Sequence, residues 1–224
     1  MPDADGQPAR SALATGATQD RAGHWEQVYR EHGPRSVSWF QADPAISAEL
    51  ISAAVGTDRA VPVIDIGGGT SLLAPRLATS GFTDVTVLDI SDRALDAARG
   101  QDPTGTVSFL QADVLNWQPP RQWQVWHDRA VFHFLTSPQD RAGYLATLRR
   151  ALRPGGRIVL GTFAPGAPTH CSGLPVARYS APDLGRELGD DFTVTVTRTE
   201  QHHTPAGAVQ PFTWVSAQLR RDVA

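Results

Sequence analysis

Glycines and a carboxylate are concentrated in one short segment, Asp65-Ile66-Gly67-Gly68-Gly69-Thr70, directly after a run of apolar residues. Glycine lets the backbone approach a ligand closely because it has no Cβ, and the helix start that follows adds N–H donors. Asp89 lies twenty residues beyond Gly69, at the end of the next apolar run. A carboxylate there can accept hydrogen bonds from both ribose hydroxyls, so the pattern predicts a nucleoside site.

A dinucleotide would also use a glycine loop and a distant carboxylate, but two details argue against one. The third glycine of G-x-G-x-x-G falls on Leu72, where glycine normally allows close helix–strand packing beside a pyrophosphate. Asp65, two residues before the loop, would repel a diphosphate but could meet an ammonium group. The sequence therefore favours a nucleoside with a cationic tail.

A third acid, Asp113 in LQADV, follows the third apolar run. It is placed to accept from the exocyclic amine of adenine, while the Val114 amide is free to donate to a ring nitrogen. Together with the glycine segment and Asp89, these positions resemble the S-adenosylmethionine site of the class I (seven-strand) methyltransferases. The resemblance covers about residues 61–220, including LRRALRPGGRIVLGTF, which is similar to the helix, loop and strand before that family's late hairpin.

The resemblance implies S-adenosylmethionine as cofactor, with Asp65, Gly67 and Gly69 around its methionine portion. It places Asp89 at the ribose and Asp113 with Val114 at the adenine. The cofactor-binding residues that we predict are Trp25, Tyr29, Asp65, Gly67, Gly68, Gly69, Asp89, Ile90, Asp113, Val114 and Asp128.

The segment WQVWHDRAVFHFL, residues 123–135, corresponds to the end of the fourth strand, beside the methyl group in that family. It lacks the Asn/Asp-Pro-Pro-aromatic sequence that grips planar amines, which disfavours nucleobase and glutamine acceptors. Asp128 and His133 are the predicted catalytic residues. Asp128 could orient substrate or touch the sulfonium, with Arg129 as its partner, and His133 is either a base or a packed core histidine.

Aromatic and basic side chains on both sides of this segment are candidates for the acceptor pocket. Trp25 and Tyr29, with their four-residue spacing, resemble the Trp-x-x-x-Tyr start of lysine methyltransferases acting on elongation factor 1A and citrate synthase, and an aromatic face attracts a sulfonium. Core packing is the alternative for Trp39 and Phe40, and solvent exposure for Arg178 and Tyr179. The predicted substrate-binding residues are Trp39, Phe40, Arg129, Arg178 and Tyr179.

Composition excludes several classes of function. The chain has no lysine, which excludes Schiff-base chemistry, and its one cysteine, Cys171, excludes an internal disulfide and Cys-rich metal sites. A net charge of −3 disfavours nucleic acid, and no stretch is long and apolar enough for a membrane span. We predict no metal, no nucleic acid, no membrane contact, a monomer or weak homodimer, and a cytoplasmic location.

Strand-like and helix-like runs alternate from residue 61 onward, which predicts an α/β, doubly wound, mostly parallel sheet with a C-terminal antiparallel hairpin. The family resemblance implies that this sheet is Rossmann-like and seven-stranded. We expect a flexible tail over residues 1–20 and one methyltransferase domain over 21–224. That domain comprises N-terminal helices that cover the pocket (21–58) and the Rossmann-like core (61–220).

The sequence thus predicts methyl transfer from S-adenosylmethionine, by in-line displacement, to a small molecule at sulfur, oxygen or nitrogen. A thiol is favoured because a thiolate needs no strong base. Two alternatives stay open: a protein-lysine N-methyltransferase, suggested by the N-terminal helix, and a non-catalytic nucleoside-binding module that has kept only the fold.

Overall fold

The structure is a computed structural model that describes residues 10–221, with side chains from residue 21 onward. The predicted flexible tail, residues 1–20, stays a prediction: residues 1–9 lie outside the described residues, and the backbone of residues 10–20 is helical and forms the start of α1. The helices are α1 (Arg10–Glu31), α2 (Ala45–Val55), α3 (Leu73–Thr79), α4 (Asp92–Arg99), α5 (Pro138–Ala151) and α6 (Ala181–Leu188). The strands are β1 (Val63–Ile66), β2 (Val85–Asp89), β3 (Ser108–Gln111), β4 (Trp123–Arg129), β5 (Leu152–Phe163), β6 (His170–Cys171), β7 (Leu174–Pro175), β8 (Phe192–His203) and β9 (Val209–Leu219).

Seven of these strands form one sheet in the order β3-β2-β1-β4-β5-β9-β8. The first five are mutually parallel, and β9 runs antiparallel to both β5 and β8. The predicted doubly wound sheet with a C-terminal antiparallel hairpin is therefore confirmed. β9 inserts between β5 and β8, so β8 alone of the hairpin forms the sheet edge.

The order in which strands are added to the sheet switches direction between β1 and β4. From β1 the chain first builds outward through β2 and β3, and it then returns to add β4 and β5 on the opposite side of β1. Open parallel sheets bind ligands in the crevice at the carboxyl ends of the strands at such a switch point. The predicted glycine segment follows β1, Asp89 ends β2 and Arg129 ends β4, so all three lie at this crevice.

Side-chain caps fix where the helices begin. Ser91 and Ser137 each accept a hydrogen bond from a backbone N–H three residues on, at the starts of α4 and α5. Ser180 and Asp183 form a capping box at the start of α6. The cap of α4 directly follows β2, so it also fixes the backbone on which Asp89 lies.

Apolar side chains fill both faces of the sheet. Val125 and Trp126 are adjacent on β4 and both fully buried, on opposite faces, as expected of a central parallel strand. α5 ends at Ala151, three residues before Pro154, because Leu152 already pairs with Trp123 in the sheet. Among the described residues, no helix has the length and apolarity to span a membrane.

Candidate active site

A cavity with an empty volume of about 820 Å³, its open mouth included, lies at the carboxyl ends of β1, β2 and β4. α1 and the segment before α2 contribute aromatic side chains to its wall. The predicted cofactor-binding residues that line it are Trp25, Tyr29, Gly67, Asp89, Ile90, Asp113 and Val114.

A second, smaller cavity of about 470 Å³ adjoins the first at the glycine segment. Gly67, Trp39 and Arg129 line both cavities. Asp65, Gly68 and Phe40 line only the second one. The two cavities therefore share a wall at the glycine segment, and together they are called the groove below.

The glycine segment is a cradle in which side chains would not fit. Gly67 and Gly69 have φ of +62° and +45°, in the left-handed region that favours glycine. A Cβ on Gly67 would overlap the Val131 side chain, and a Cβ on Gly69 would lie 2.5 Å from the Tyr29 hydroxyl. The backbone is therefore shaped for close approach by another group.

Asp89 ends β2 beside this cradle and is only 5% exposed. Burial raises the pKa of its carboxyl to about 7, and the negative charge of Asp65 adds to the shift. Backbone N–H groups oppose it, among them that of Ser91, which donates at 2.9 Å. Asp89 is thus a poorly solvated acceptor at the place where the sequence predicts a ribose.

Tyr29 reaches from α1 to the same place. Burial, together with the charge of Asp89, raises the pKa of its phenol above the usual value. The hydroxyl therefore stays protonated and available as a donor, and it cannot serve as a base at neutral pH.

Asp113 lies at the other end of the cavity. Its carboxylate accepts from the Leu115 amide at 3.0 Å, and Arg21 Nη1 lies 3.6 Å from its Oδ2. Sequence reasoning missed Arg21, although Arg21, Trp25 and Tyr29 follow one another at four-residue intervals on one face of α1 and all line the cavity. α1 therefore lies over the predicted adenine site.

A buried hydrogen-bond chain supports Asp65. His127 Nδ1 lies 2.6 Å from Asp65 Oδ1, and His127 Nε2 lies 2.9 Å from Ser47 Oγ. All three side chains are almost fully buried. Sequence reasoning assigned no role to His127 or Ser47, because the contact depends on the pairing of Asp65 with His127 across β1 and β4. These two hydrogen bonds fix the Asp65 carboxylate beneath the glycine cradle.

Asp128 is fully buried and lines neither cavity. It accepts hydrogen bonds from the Tyr144 hydroxyl at 2.6 Å and from the Val131 and Phe132 amides at 2.9 and 3.1 Å. Burial raises its pKa to about 6, and these hydrogen bonds oppose that shift. Its contacts hold the turn after β4, and the structure does not bring it to the groove.

His133 is also fully buried and does not line the groove. Its ring packs between Phe134 and Phe163, with centroids 4.5 and 4.6 Å away, and its Nδ1 accepts from the Phe163 amide at 3.4 Å. Burial lowers its pKa to about 3, and the charge of Arg129 contributes. The imidazole is therefore neutral. Its packing is that of a buried core histidine, the alternative to a base in the sequence analysis.

The predicted substrate-binding residues divide into two groups. Trp39 lines both cavities and contacts the rings of Trp25 and Tyr29 edge-on. Arg178 instead donates to backbone carbonyls of its own loop, and Tyr179 packs on Phe132. The structure does not bring Arg178 or Tyr179 to the groove.

Arg129 does not pair with Asp128, the partner that the sequence analysis suggested for it, but has other partners. Its Nη1 donates to the Trp39 carbonyl at 2.9 Å, and its Nη2 lies 3.9 Å from Glu200 Oε1. Its guanidinium carbon lies 4.4 Å from the centre of the Phe212 ring. These contacts fix the guanidinium at the wall where the two cavities meet. Within the described part of the chain, no three His, Cys, Asp or Glu side chains group as metal ligands.

Comparison with known proteins identifies the family. The family model described as "Methyltransferase domain" matches residues 63–156, which include the glycine segment, Asp89 and Asp113. The 27-O-demethylrifamycin SV methyltransferase of Amycolatopsis mediterranei is 30% identical over 156 residues, 66% of this chain and 54% of that protein. EEF1A lysine methyltransferase 2 of Danio rerio is 25% identical over 143 residues, 60% of this chain and 61% of that protein.

Solved structures agree on the fold. The 1,6-didemethyltoxoflavin-N1-methyltransferase of Burkholderia thailandensis, solved with S-adenosylhomocysteine, superposes with a TM-score of 0.68 at 18% identity, over 98% of this chain and 94% of that one. This chain spans little more than half the length of the two curated relatives. The family match shows that residues 63–156, which carry Asp65, the glycine cradle, Asp89 and Asp113, are a methyltransferase domain, and the solved structures show the fold of S-adenosylmethionine-dependent methyltransferases.

Proposed function

We propose that the protein transfers a methyl group from S-adenosylmethionine to a small-molecule acceptor. The observation that carries the proposal is the groove itself, which runs from the glycine cradle to an aromatic pocket under α1. The Trp25 ring contacts the rings of Trp39 and Phe134 edge to face there, so the wall is packed and apolar.

The residues present fit the cofactor of the family. Gly67 lines both cavities with backbone alone, Asp65 offers a fixed carboxylate for an ammonium, and Asp89 offers a carboxylate for ribose hydroxyls. Asp113 and the Val114 amide stand at the far end of the cavity for the adenine. When bound, S-adenosylmethionine supplies the methyl group and a neutral thioether leaving group.

The protein's own contribution is binding, orientation and exclusion of water. Among the described residues that line the groove, burial raises the pKa values of Tyr29 and Cys171, and Asp89 lies at the predicted ribose position. His127 lines the second cavity, but both of its ring nitrogens are engaged, by Asp65 and by Ser47. Asp128 and His133 lie outside the groove. The arrangement therefore favours an acceptor that needs no strong base, such as a thiolate or another anion. Asp128 acts in this proposal by positioning the turn after β4.

The rival function is protein-lysine methylation, which the similarity to the Danio rerio enzyme favours. Against it, α1 and Trp39 cover the groove, which leaves less room for a protein surface. The monomer or weak homodimer, the cytoplasmic location and the lack of a nucleic-acid partner remain proposals that rest on charge and composition.

The test is methyl transfer from radiolabelled S-adenosylmethionine into a cell extract separated into protein and small-molecule fractions. We expect label in the small-molecule fraction with wild-type protein, and much less label at the same cofactor concentration with Asp89→Asn, which binds the cofactor more weakly. Label confined to the protein fraction would support the lysine alternative. Cofactor binding without label in either fraction, over extracts from several sources, would support the non-catalytic module.

A further inference from the structure

Arg129 has buried hydrogen-bond donors that nothing in the described part of the chain satisfies. Its side chain is 9% exposed, and neither Nε nor Nη2 has a hydrogen-bond partner. A buried donor on a charged group is unfavourable without a hydrogen-bond partner, so such a group is expected to have one.

Glu200 is the nearest carboxylate, and its oxygens are already engaged. Oε1 accepts from Gln41 Nε2 at 2.7 Å and Oε2 accepts from Trp214 Nε1 at 2.8 Å. Arg129 Nη2 stands 3.9 Å away, beyond hydrogen-bond distance. Glu200 therefore balances the charge of the guanidinium without using its free donors.

The donors belong to a side chain that lines both cavities of the groove. Around it, the first cavity is lined by Trp39, Ala130, Val131 and Phe134, which are apolar. The other charged side chains that line the first cavity lie in the part of the groove assigned to the cofactor: Asp89, Asp113 and Arg21, which pairs with Asp113. Arg129 is thus the one charged side chain, among the described residues, in the acceptor part of the first cavity.

We propose that the methyl acceptor is an anion, a carboxylate or a group of similar charge and geometry, and that Arg129 Nε and Nη2 bind it. The inference rests on the proposed function and specifies its acceptor class. A guanidinium presents parallel N–H donors that match a carboxylate.

Charge supports the same choice. An ammonium acceptor would meet the fixed positive charge of Arg129, whereas an anion would lie between that charge and the cationic sulfonium of the cofactor. Arg129 therefore selects against a protonated lysine or amine, and this argues against the protein-lysine alternative.

The test is binding, measured without turnover. Protein saturated with S-adenosylhomocysteine is titrated calorimetrically with benzoate, 2-naphthoate and indole-3-acetate and with the amide of each. At least one carboxylate is expected to bind tenfold or more tightly than its amide. In Arg129→Gln that carboxylate should bind about tenfold to a hundredfold more weakly and the amide less than threefold, while Arg129→Lys restores part of the difference.

Two control variants separate this role from a structural one. Arg198→Gln removes an exposed arginine from another Arg–Glu pair, with Glu49 at 3.1 Å, and should leave both affinities unchanged. The double variant Arg129→Gln/Glu200→Gln leaves no unpaired buried charge and should unfold near the wild-type temperature, still without carboxylate preference.

The outcomes separate the two proposals. Failure of wild-type protein to bind S-adenosylhomocysteine would overturn the proposed function and this inference with it. Normal S-adenosylhomocysteine binding, with no carboxylate preferred over its amide, would overturn the inference alone. A tenfold loss of S-adenosylhomocysteine affinity in Arg129→Gln, with carboxylate preference intact, would assign Arg129 to the cofactor's own carboxylate and also overturn it.

Discussion

The buried carboxylate of Asp89 makes cofactor binding depend on pH. Its pKa in the ligand-free protein is raised to about 7, chiefly by burial. To accept hydrogen bonds from two ribose hydroxyls the carboxyl must be ionised, so binding below pH 7 releases a proton. Affinity for S-adenosylhomocysteine is therefore expected to rise between pH 6 and pH 8 and to level off above.

The size of the effect follows from the pKa. A group with a pKa of about 7 is about 90% protonated at pH 6 and about 10% protonated at pH 8, so the affinity should fall about tenfold between pH 8 and pH 6. Asp89→Asn cannot ionise, so it should bind more weakly at pH 8 and lose this dependence.

Isothermal titration calorimetry in buffers of different ionisation enthalpy measures both the affinity and the protons released. 5′-Methylthioadenosine is the control ligand because it keeps the ribose and lacks the titratable amino acid. A wild-type affinity that stays flat from pH 6 to 8, or a slope that persists in Asp89→Asn, would refute the reasoning.

The raised pKa of Asp89 affects folding stability in the opposite direction: cofactor affinity rises with pH, whereas stability falls. A folded-state pKa above the unfolded value of 3.8 means that the folded protein binds the proton more tightly, so the stability contribution of Asp89 falls as pH rises from about 4 to about 7. A shift of about three units corresponds to at most about 4 kcal/mol. Ligand-free Asp89→Asn should therefore be more stable than wild type at pH 8 in urea unfolding, although it binds cofactor less well; a variant less stable at pH 8 would contradict this.

Three further substitutions test the cradle and the two buried groups behind it. Gly67→Ala should weaken S-adenosylhomocysteine binding more than tenfold in titrations, because of backbone strain and overlap with a neighbouring side chain. The control Gly105→Ala, at a similar φ of +66° but in open space, should cost only about 1–2 kcal/mol of folding stability. Equal cofactor binding by both variants would refute the role of the cradle. Tyr144→Phe removes the hydroxyl that donates to Asp128 at 2.6 Å, and it should lower the free energy of unfolding by about 1–3 kcal/mol in urea. Cofactor affinity should stay within threefold of wild type. A large loss of affinity would give Asp128 a direct role in cofactor binding. His133→Gln should lower the melting temperature but leave the shape of the pH–rate profile above pH 5 unchanged, since the imidazole of the folded protein is already neutral there. A hundredfold loss of turnover with intact cofactor binding would instead show that His133 acts as a base.

Local features of the fold were predictable from the sequence because they depend on neighbouring residues. Ser91 caps α4 through a backbone amide three residues away, and Gly67 adopts a positive φ in a turn that follows an apolar run. The number of strands, in contrast, came from the family resemblance, and their order was not predicted, since strand pairing joins residues far apart in the chain.

Contacts that cross the sheet could not be predicted in this way. The His127–Asp65 hydrogen bond spans 62 positions and follows from the adjacency of β1 and β4. Arg129 alternates with Asp128 along β4, so the two side chains point to opposite faces, and Arg129 meets Glu200 from the far hairpin. Arg178 lies in a long loop whose path no local pattern defines.

Equilibrium titration of the purified protein with S-adenosylmethionine, S-adenosylhomocysteine and NAD tests the central claim most directly. The account predicts saturable one-to-one binding of both sulfur nucleosides, loss of that binding in Gly67→Ala, and no binding of NAD. Failure of both sulfur nucleosides to bind at millimolar concentration, or tighter binding of NAD, would contradict it.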